Sequence, residues 1–228
     1  MENKAKRSLF IGLVAISALL ANCSQPSHIV PKALLCEAKT NPSGIATTQP
    51  RFNWKNVAST NGAQQTAYQV LVASTTSQLN EDKANLWNSK KVSSTKSTWI
   101  EYAGKALQSR AVAYWKVRVW DQDDVASKWS ETQYFSVGLL HAEDWQGEYI
   151  GMGSVKADIE SPLLRNTVVV DGKYDALYFH VNSLGYHELY VNNQKVGDAV
   201  LAPAESQFDK RSFSLSYDVS SYLKEGKN

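Results

Sequence analysis

Two stretches of this chain alternate apolar and polar residues with a period of two, and that period restricts the fold more than any other feature. Tyr68, Val70 and Val72 alternate with Ala67, Gln69 and Leu71, and Trp115, Val117 and Val119 alternate with Tyr114, Lys116 and Arg118. Successive side chains point to opposite faces only in an extended chain, so each stretch reads as a half-buried strand. Phe52 and Trp54 repeat the pattern, and shorter candidates lie at 86–92, 98–102 and 132–137. Asn, Ser, Gly and Asp clusters separate them, notably Ser59-Thr60-Asn61-Gly62 and Asp121-Gln122-Asp123-Asp124, the turn chemistry of short antiparallel connections. No segment from 32 to 228 sustains a 3.6-residue period over three turns, so the chain is all-β. Six or seven strands over residues 33–140, ending near Gly138, predict a β-sandwich of fibronectin-III or immunoglobulin-like type without its disulfide.

The alternation breaks over residues 141–147, which read as a linker, and resumes at 163–170, 175–181, 186–191 and 212–217. Asn192-Asn193 sits between Val191 and Val196 as a hairpin signal, because asparagine tolerates positive φ. Residues 148–228 therefore read as a second, incomplete β-sandwich of jelly-roll-like type. Its four or five strands suffice for one sheet, with little left to cover the apolar face.

The first 22 residues read as an export signal. Lys4, Lys6 and Arg7 precede an uncharged run from Ser8 to Ala21, shorter than the roughly 20 residues of a membrane span. Leu20-Ala21-Asn22-Cys23 then resembles a bacterial lipobox, which implies acylation at Cys23, a lipid membrane as partner and an exported, membrane-anchored lipoprotein of the bacterial envelope. Asn22 departs from the usual small residue at that place. Residues 23–32, with Pro26 and Pro31, read as a short polar tether. With Cys23 acylated, Cys36 is a single thiol and no disulfide framework is available.

Composition narrows the function. The net charge of +2 comes from the leader; from Cys23 onward basic and acidic residues balance. A neutral chain offers no clustered cationic surface for a phosphate backbone, so no nucleic acid is expected. The only dense carboxylate cluster, Asp121-Gln122-Asp123-Asp124, lacks the spacing and distal Glu of a calcium loop and reads as a solvated turn. His187 and Glu188 are adjacent and point to opposite faces, and His180 belongs to another strand, so no metal or acid–base pair is expected there. Glu188, Asp198, Glu205 and Asp209 form no recognisable pair for glycoside hydrolysis. No catalytic residue, metal ligand or cofactor site is expected from these residues. Trp54 and Trp115 read as core residues with satisfied indole N–H groups, whereas Trp120 shares the polar face of Lys116 and Arg118. Trp145, Tyr186 and Tyr190 are the aromatics open to a sugar ring or to packing between modules.

An ordered series of fragments gives a family resemblance. Pro50-Arg51-Phe52-Asn53-Trp54, Tyr114-Trp115-Lys116-Val117-Arg118-Val119-Trp120-Asp121, Trp129-Ser130-Glu131 and Phe135-Ser136-Val137-Gly138 are followed by Leu184-Gly185-Tyr186-His187-Glu188-Leu189-Tyr190-Val191-Asn192, Leu201-Ala202-Pro203 and Tyr217-Asp218-Val219-Ser220. The series resembles the N-terminal modules of bacterial α-L-rhamnosidases over roughly residues 31–228. The resemblance implies a fibronectin-III-like module, then an accessory β-sandwich, then a helical (α/α) barrel with the inverting hydrolase site, which lies outside these residues. Asn193, Ala204 and Asp124 stand where the family commonly has glycine.

Two functional readings follow. In the first, the chain is the non-catalytic N-terminal part of an exported α-L-rhamnosidase. It scaffolds the missing C-terminal catalytic domain, could carry sugar-binding modules, and reaches rhamnose-containing glycans through the full-length enzyme. In the second, it is a self-contained surface lipoprotein whose fibronectin-like modules bind a glycan or a protein.

Overall fold

The computed structural model describes residues 27–151 and 161–228. The first module contains β1 (Ile29–Cys36), β2 (Arg51–Ala58), β3 (Ala67–Ala73), β4 (Trp87–Asn88), β5 (Val92–Ser93), β6 (Ile100–Glu101), β7 (Val112–Trp120) and β8 (Gln133–Ser136). A three-stranded sheet β1-β2-β6 faces a five-stranded one, in which β4, β3, β7 and β8 neighbour in that order and β5 also pairs with β3. All pairings between these strands are antiparallel.

The period of two holds along most of β7, whereas β3 is buried at all seven positions and not on one face alone, because Leu71 and Ala73 pack with Leu79 in a second, smaller cluster. Phe52 and Trp54 from one sheet meet Val70, Val72, Trp115, Val117, Val119 and Phe135 from the other, all essentially excluded from water. Phe52 lies against Trp115 with ring centroids 4.4 Å apart, and Trp54 meets Tyr68 edge-on at 5.4 Å. Each such side chain contributes about 1.5–3 kcal/mol by leaving water, so this layer is the main source of the module's stability. Trp54 donates its indole N–H to Gln65 Oε1 at 3.0 Å, as expected. Trp115 does not follow: its Nε1 is buried and finds no acceptor among the described residues, because the ring is wedged among apolar side chains.

Trp120 does lie on the face of Lys116 and Arg118, yet it is only 8% exposed. The Arg118 guanidinium sits 4.9 Å from the Trp120 ring and 4.7 Å from that of Trp129, and Lys91 sits 4.9 Å from Trp120. Cations thus cover the indole, an arrangement period counting alone does not reveal.

β1 was not foreseen. Ile29–Cys36 begins inside residues 23–32, which the sequence assigned to the tether. The register slips between Lys32 and Leu35 at a bulge where Ala33 has φ +48°. Buried positions are therefore Ile29 and Pro31 before the bulge and Leu34 and Cys36 after it, which breaks the alternation. Pro31 is tolerated because β1 is an edge strand.

The second module holds β9 (Val169–Val170), β10 (Tyr178–Asn182), β11 (Tyr190–Val191), β12 (Gln194–Lys195), β13 (Ser214–Asp218) and β14 (Gly226–Lys227). Where the alternation suggested one sheet, the described residues form three two-stranded ladders, β10-β13, β11-β12 and β14-β9. They surround a small core of Val191, Val196 and Val219 with Leu177, Phe179 and Tyr217 against it. The hairpin at Asn192-Asn193 joins β11 to β12 with φ of +49° and +66°, the left-handed pair a tight turn requires. Large apolar side chains remain on its surface, among them Leu163, Val200, Leu201 and Tyr186.

Candidate functional site

The sequence-predicted site residues are not brought together. Cys23 lies outside the described residues. Trp145 is half-buried at the end of a short 3-10 turn, Ala142–Asp144, in the link between modules. That turn is fastened to the first module: the Ser109 hydroxyl bonds the Asp144 carboxylate, which also accepts from His141 N at 3.0 Å. The Ser109 bond, then that amide, holds the Asp144 carboxyl below its ordinary range against the opposing effect of burial. Tyr190 is 55% exposed and donates to Glu188 Oε2 at 2.8 Å, while Lys195 pairs with the other oxygen of Glu188. Tyr186, 57% exposed, lines a small cavity of about 140 Å³ with Gly185, Pro203, Glu205 and Phe208. None of the three rings stacks on another aromatic among the described residues.

The acidic turn is a turn, as expected, but its first member is not solvated. Asp121 is fully buried. Its Oδ1 accepts from the amides of Asp123 (3.1 Å) and Val125 (3.0 Å), and its Oδ2 from Ser27 Oγ (2.9 Å) and His28 N (3.0 Å). Burial alone would raise its pKa; the donors outweigh burial and set it below the usual carboxylate value. Asp124 pairs with Lys91 and Asp123 accepts from Gln122, so the carboxylates diverge. Among the described residues no three His, Cys, Asp or Glu side chains converge to hold a metal ion.

The histidines are separate too. His187 lies between Ser183 Oγ (2.7 Å from Nδ1) and the Tyr217 hydroxyl (3.0 Å from Nε2). Ser183 Oγ also lies 2.7 Å from the Gly185 carbonyl, to which it donates. Its oxygen is then free to accept from His187 Nδ1–H, leaving Nε2 to accept from Tyr217, a neutral ring that burial favours by lowering its pKa. His180 Nδ1 lies 2.7 Å from Ser216 Oγ, and burial, then the Arg110 charge, lowers its pKa.

What the sequence did not disclose is the junction between modules. The faces of β10 and β13 that carry Tyr178, His180, Ser216 and Asp218 lie on the first module near Gly44, Tyr134 and Ser136. A Cβ built on Gly44 would meet Ser216 Oγ at 2.1 Å, and the Asp218 charge is felt by Tyr134. Gly44, at φ +68°, donates its amide to Ser136 Oγ at 3.0 Å. The geometry is that of a brace between two β units.

Comparison with known proteins gives this geometry a family. Residues 31–141 match the Rha78A-like N-terminal immunoglobulin domain, and residues 173–228 match the alpha-L-rhamnosidase N-terminal domain. The chain carries the N-terminal modules of the α-L-rhamnosidase family. An α-L-rhamnosidase of Formosa agariphila is 34% identical over 246 aligned positions, covering 96% of this chain and 26% of that relative. One of Alteromonas sp. is 32% identical over 199 positions, covering 82% of this chain and 21% of its own length. The chain thus spans about a fifth to a quarter of the length of these two rhamnosidases. Among known structures, the α-L-rhamnosidase of Dictyoglumus thermophilum superposes with a TM-score of 0.77 at 33% identity, over 87% of this chain and 24% of that one. That of Aspergillus terreus gives 0.67 at 25% identity, over 87% and 23%.

Proposed function

We propose that these residues are the non-catalytic N-terminal scaffold of an exported, lipid-anchored α-L-rhamnosidase. The whole enzyme hydrolyses terminal α-L-rhamnosyl bonds of glycans in a catalytic domain beyond residue 228. The observation that carries this reading is the coverage: nearly all of this chain aligns with rhamnosidases, and it accounts for about a quarter of them. The braced junction supports a scaffolding role, because Gly44 against Ser216 and the fastened Asp144 turn define one relative placement of the two modules. The Lys4–Ala21 leader and the Cys23 lipobox support export and anchoring. Tyr186 is the ring best disposed for a sugar, since Phe208 and the Glu205 carboxylate share its cavity, whereas Tyr190 is engaged by Glu188.

The test is an activity assay on p-nitrophenyl α-L-rhamnoside. The full open reading frame should release nitrophenol and residues 24–228 alone should release none above buffer. Turnover by the 228-residue chain, or none by the full reading frame on any rhamnoside, overturns the proposal. The latter result would favour a self-contained binding lipoprotein.

A further inference from the structure

The point where the described chain enters the first module is fixed. Asp121 holds Ser27 and His28, and the His28 carbonyl accepts from Ser59 N at 2.9 Å. Cys23 lies four residues before Ser27 in the sequence, a chain length of at most about 14 Å from Cα to Cα. The second module sits at the other end. β7 runs from Val112, beside Ser136, to Trp120 at the Asp121 end, about 27 Å at ~3.4 Å per residue. Gly44 and Arg110, which face β10 and β13, lie at the Val112 end.

The surface beside the entry point has a particular composition. Val30 and Val57 are register partners on β1 and β2 and are 37% and 55% exposed. The next outward pair, Lys32 and Lys55, are also register partners, both exposed, and neither joins an ion pair among the described residues. Like charges directly opposite each other in a sheet are destabilising, so this pair gains from an external anionic surface. Ser27, His28, Val30, Lys32, Val57 and Ser59 line a shallow recess of about 410 Å³ here.

We infer that the Val30/Val57 and Lys32/Lys55 face is the surface by which the first module rests on an anionic lipid bilayer, with the second module held away from it. Lipid on Cys23 brings this end to the headgroups, the valines meet the interface, and the two ammonium groups meet anionic headgroups, an attraction that fades within a Debye length. The inference rests on acylation of Cys23.

The test uses the full chain with its leader, expressed in a bacterial host and reconstituted into mixed phosphatidylcholine–phosphatidylglycerol vesicles, with pure phosphatidylcholine as reference. Acylation is read by mass spectrometry. An environment-sensitive fluorophore is placed on Val57→Cys, or on Gln108→Cys in the turn before β7. Cys36 is buried with its thiol pKa raised by burial, so it stays unlabelled. The Val57 label should brighten several-fold and shift to the blue on anionic vesicles while the Gln108 label does not. The Lys32→Glu/Lys55→Glu variant, at exposed positions and checked for folding by near-ultraviolet dichroism, should lose most of that gain. A chain without acyl groups overturns the anchor reading itself. An acylated chain whose Val57 label stays as dim as the Gln108 label, or is indifferent to the two Glu substitutions, overturns the orientation alone.

Discussion

Replacing Asp121 with alanine is expected to destabilise the first module by about 3 kcal/mol. The carboxylate is fully buried and accepts four hydrogen bonds, two from the turn that follows β7 and two from Ser27 and His28, 94 and 93 residues away. A bond to a charged group contributes about 1.5–3 kcal/mol, and four on one carboxylate overlap, so the total lies near the upper end of a single bond. For a module of this size that is a fall of about 15 °C in Tm, read by Trp fluorescence. Asparagine keeps one acceptor oxygen but turns an NH2 group toward one pair of donors, so Asp121→Asn should lose about half as much. If the remote pair is the one lost, its hydrogen-exchange protection falls at His28 and Ile29. The pH dependence has a definite sign. The folded pKa lies below the unfolded one, so the contribution is complete above about pH 4 and fades as pH falls through the folded value. Wild type and Asp121→Ala should therefore converge in stability at low pH. A cost under about 0.5 kcal/mol, or a gap that persists unchanged into acid, would refute the view that this carboxylate clips the chain entry to the sandwich.

Three further outcomes are expected. Gly44→Ala places a methyl 2.1 Å from Ser216 Oγ at a φ of +68°, so it should loosen the junction and raise protease cleavage in 141–151 while the first module's own Tm falls less. Lowering pH below about 6.5 should weaken the same junction, because burial and Arg110 depress the His180 pKa and the docked state is lost as that ring takes a proton. His180→Gln should flatten this dependence in a protease-protection titration. Asn193→Gly relieves a left-handed residue at φ +66° and should stabilise the second module by about 0.5 kcal/mol in urea unfolding, a null or negative effect arguing against the turn geometry.

Much of the first module was legible because its strands obey one simple rule. Where inward positions repeat every second residue, as Phe52 and Trp54 do in β2 and Trp115 and Val117 do in β7, hydrophobicity alone reports the face, whereas β3 is buried on both faces and its alternation does not show this. β1 escaped notice because the bulge at Ala33 moves the buried set by one residue, and Pro31 is an unusual strand member. The family also was legible, through ordered fragments rather than any single motif. The candidate site was not. Tyr186, Tyr190 and Trp145 are local aromatics, and whether they share a platform depends on loops such as 184–187 and 201–203, which His187 N joins to the Ala202 carbonyl at 2.8 Å.

The residues by themselves determined the all-β class, the Asn192-Asn193 hairpin and the rhamnosidase resemblance, because periodicity, turn chemistry and motif order are properties of neighbours along the chain. The tertiary structure alone decided that Asp121 is a buried clip for Ser27 and His28, that Lys91 covers Trp120, that Gly44 is the contact point between modules, and that Ser27 and the second module lie at opposite ends of the first. Each of these joins residues tens of positions apart, and such pairings are set by how two sheets close on each other, which no local pattern records.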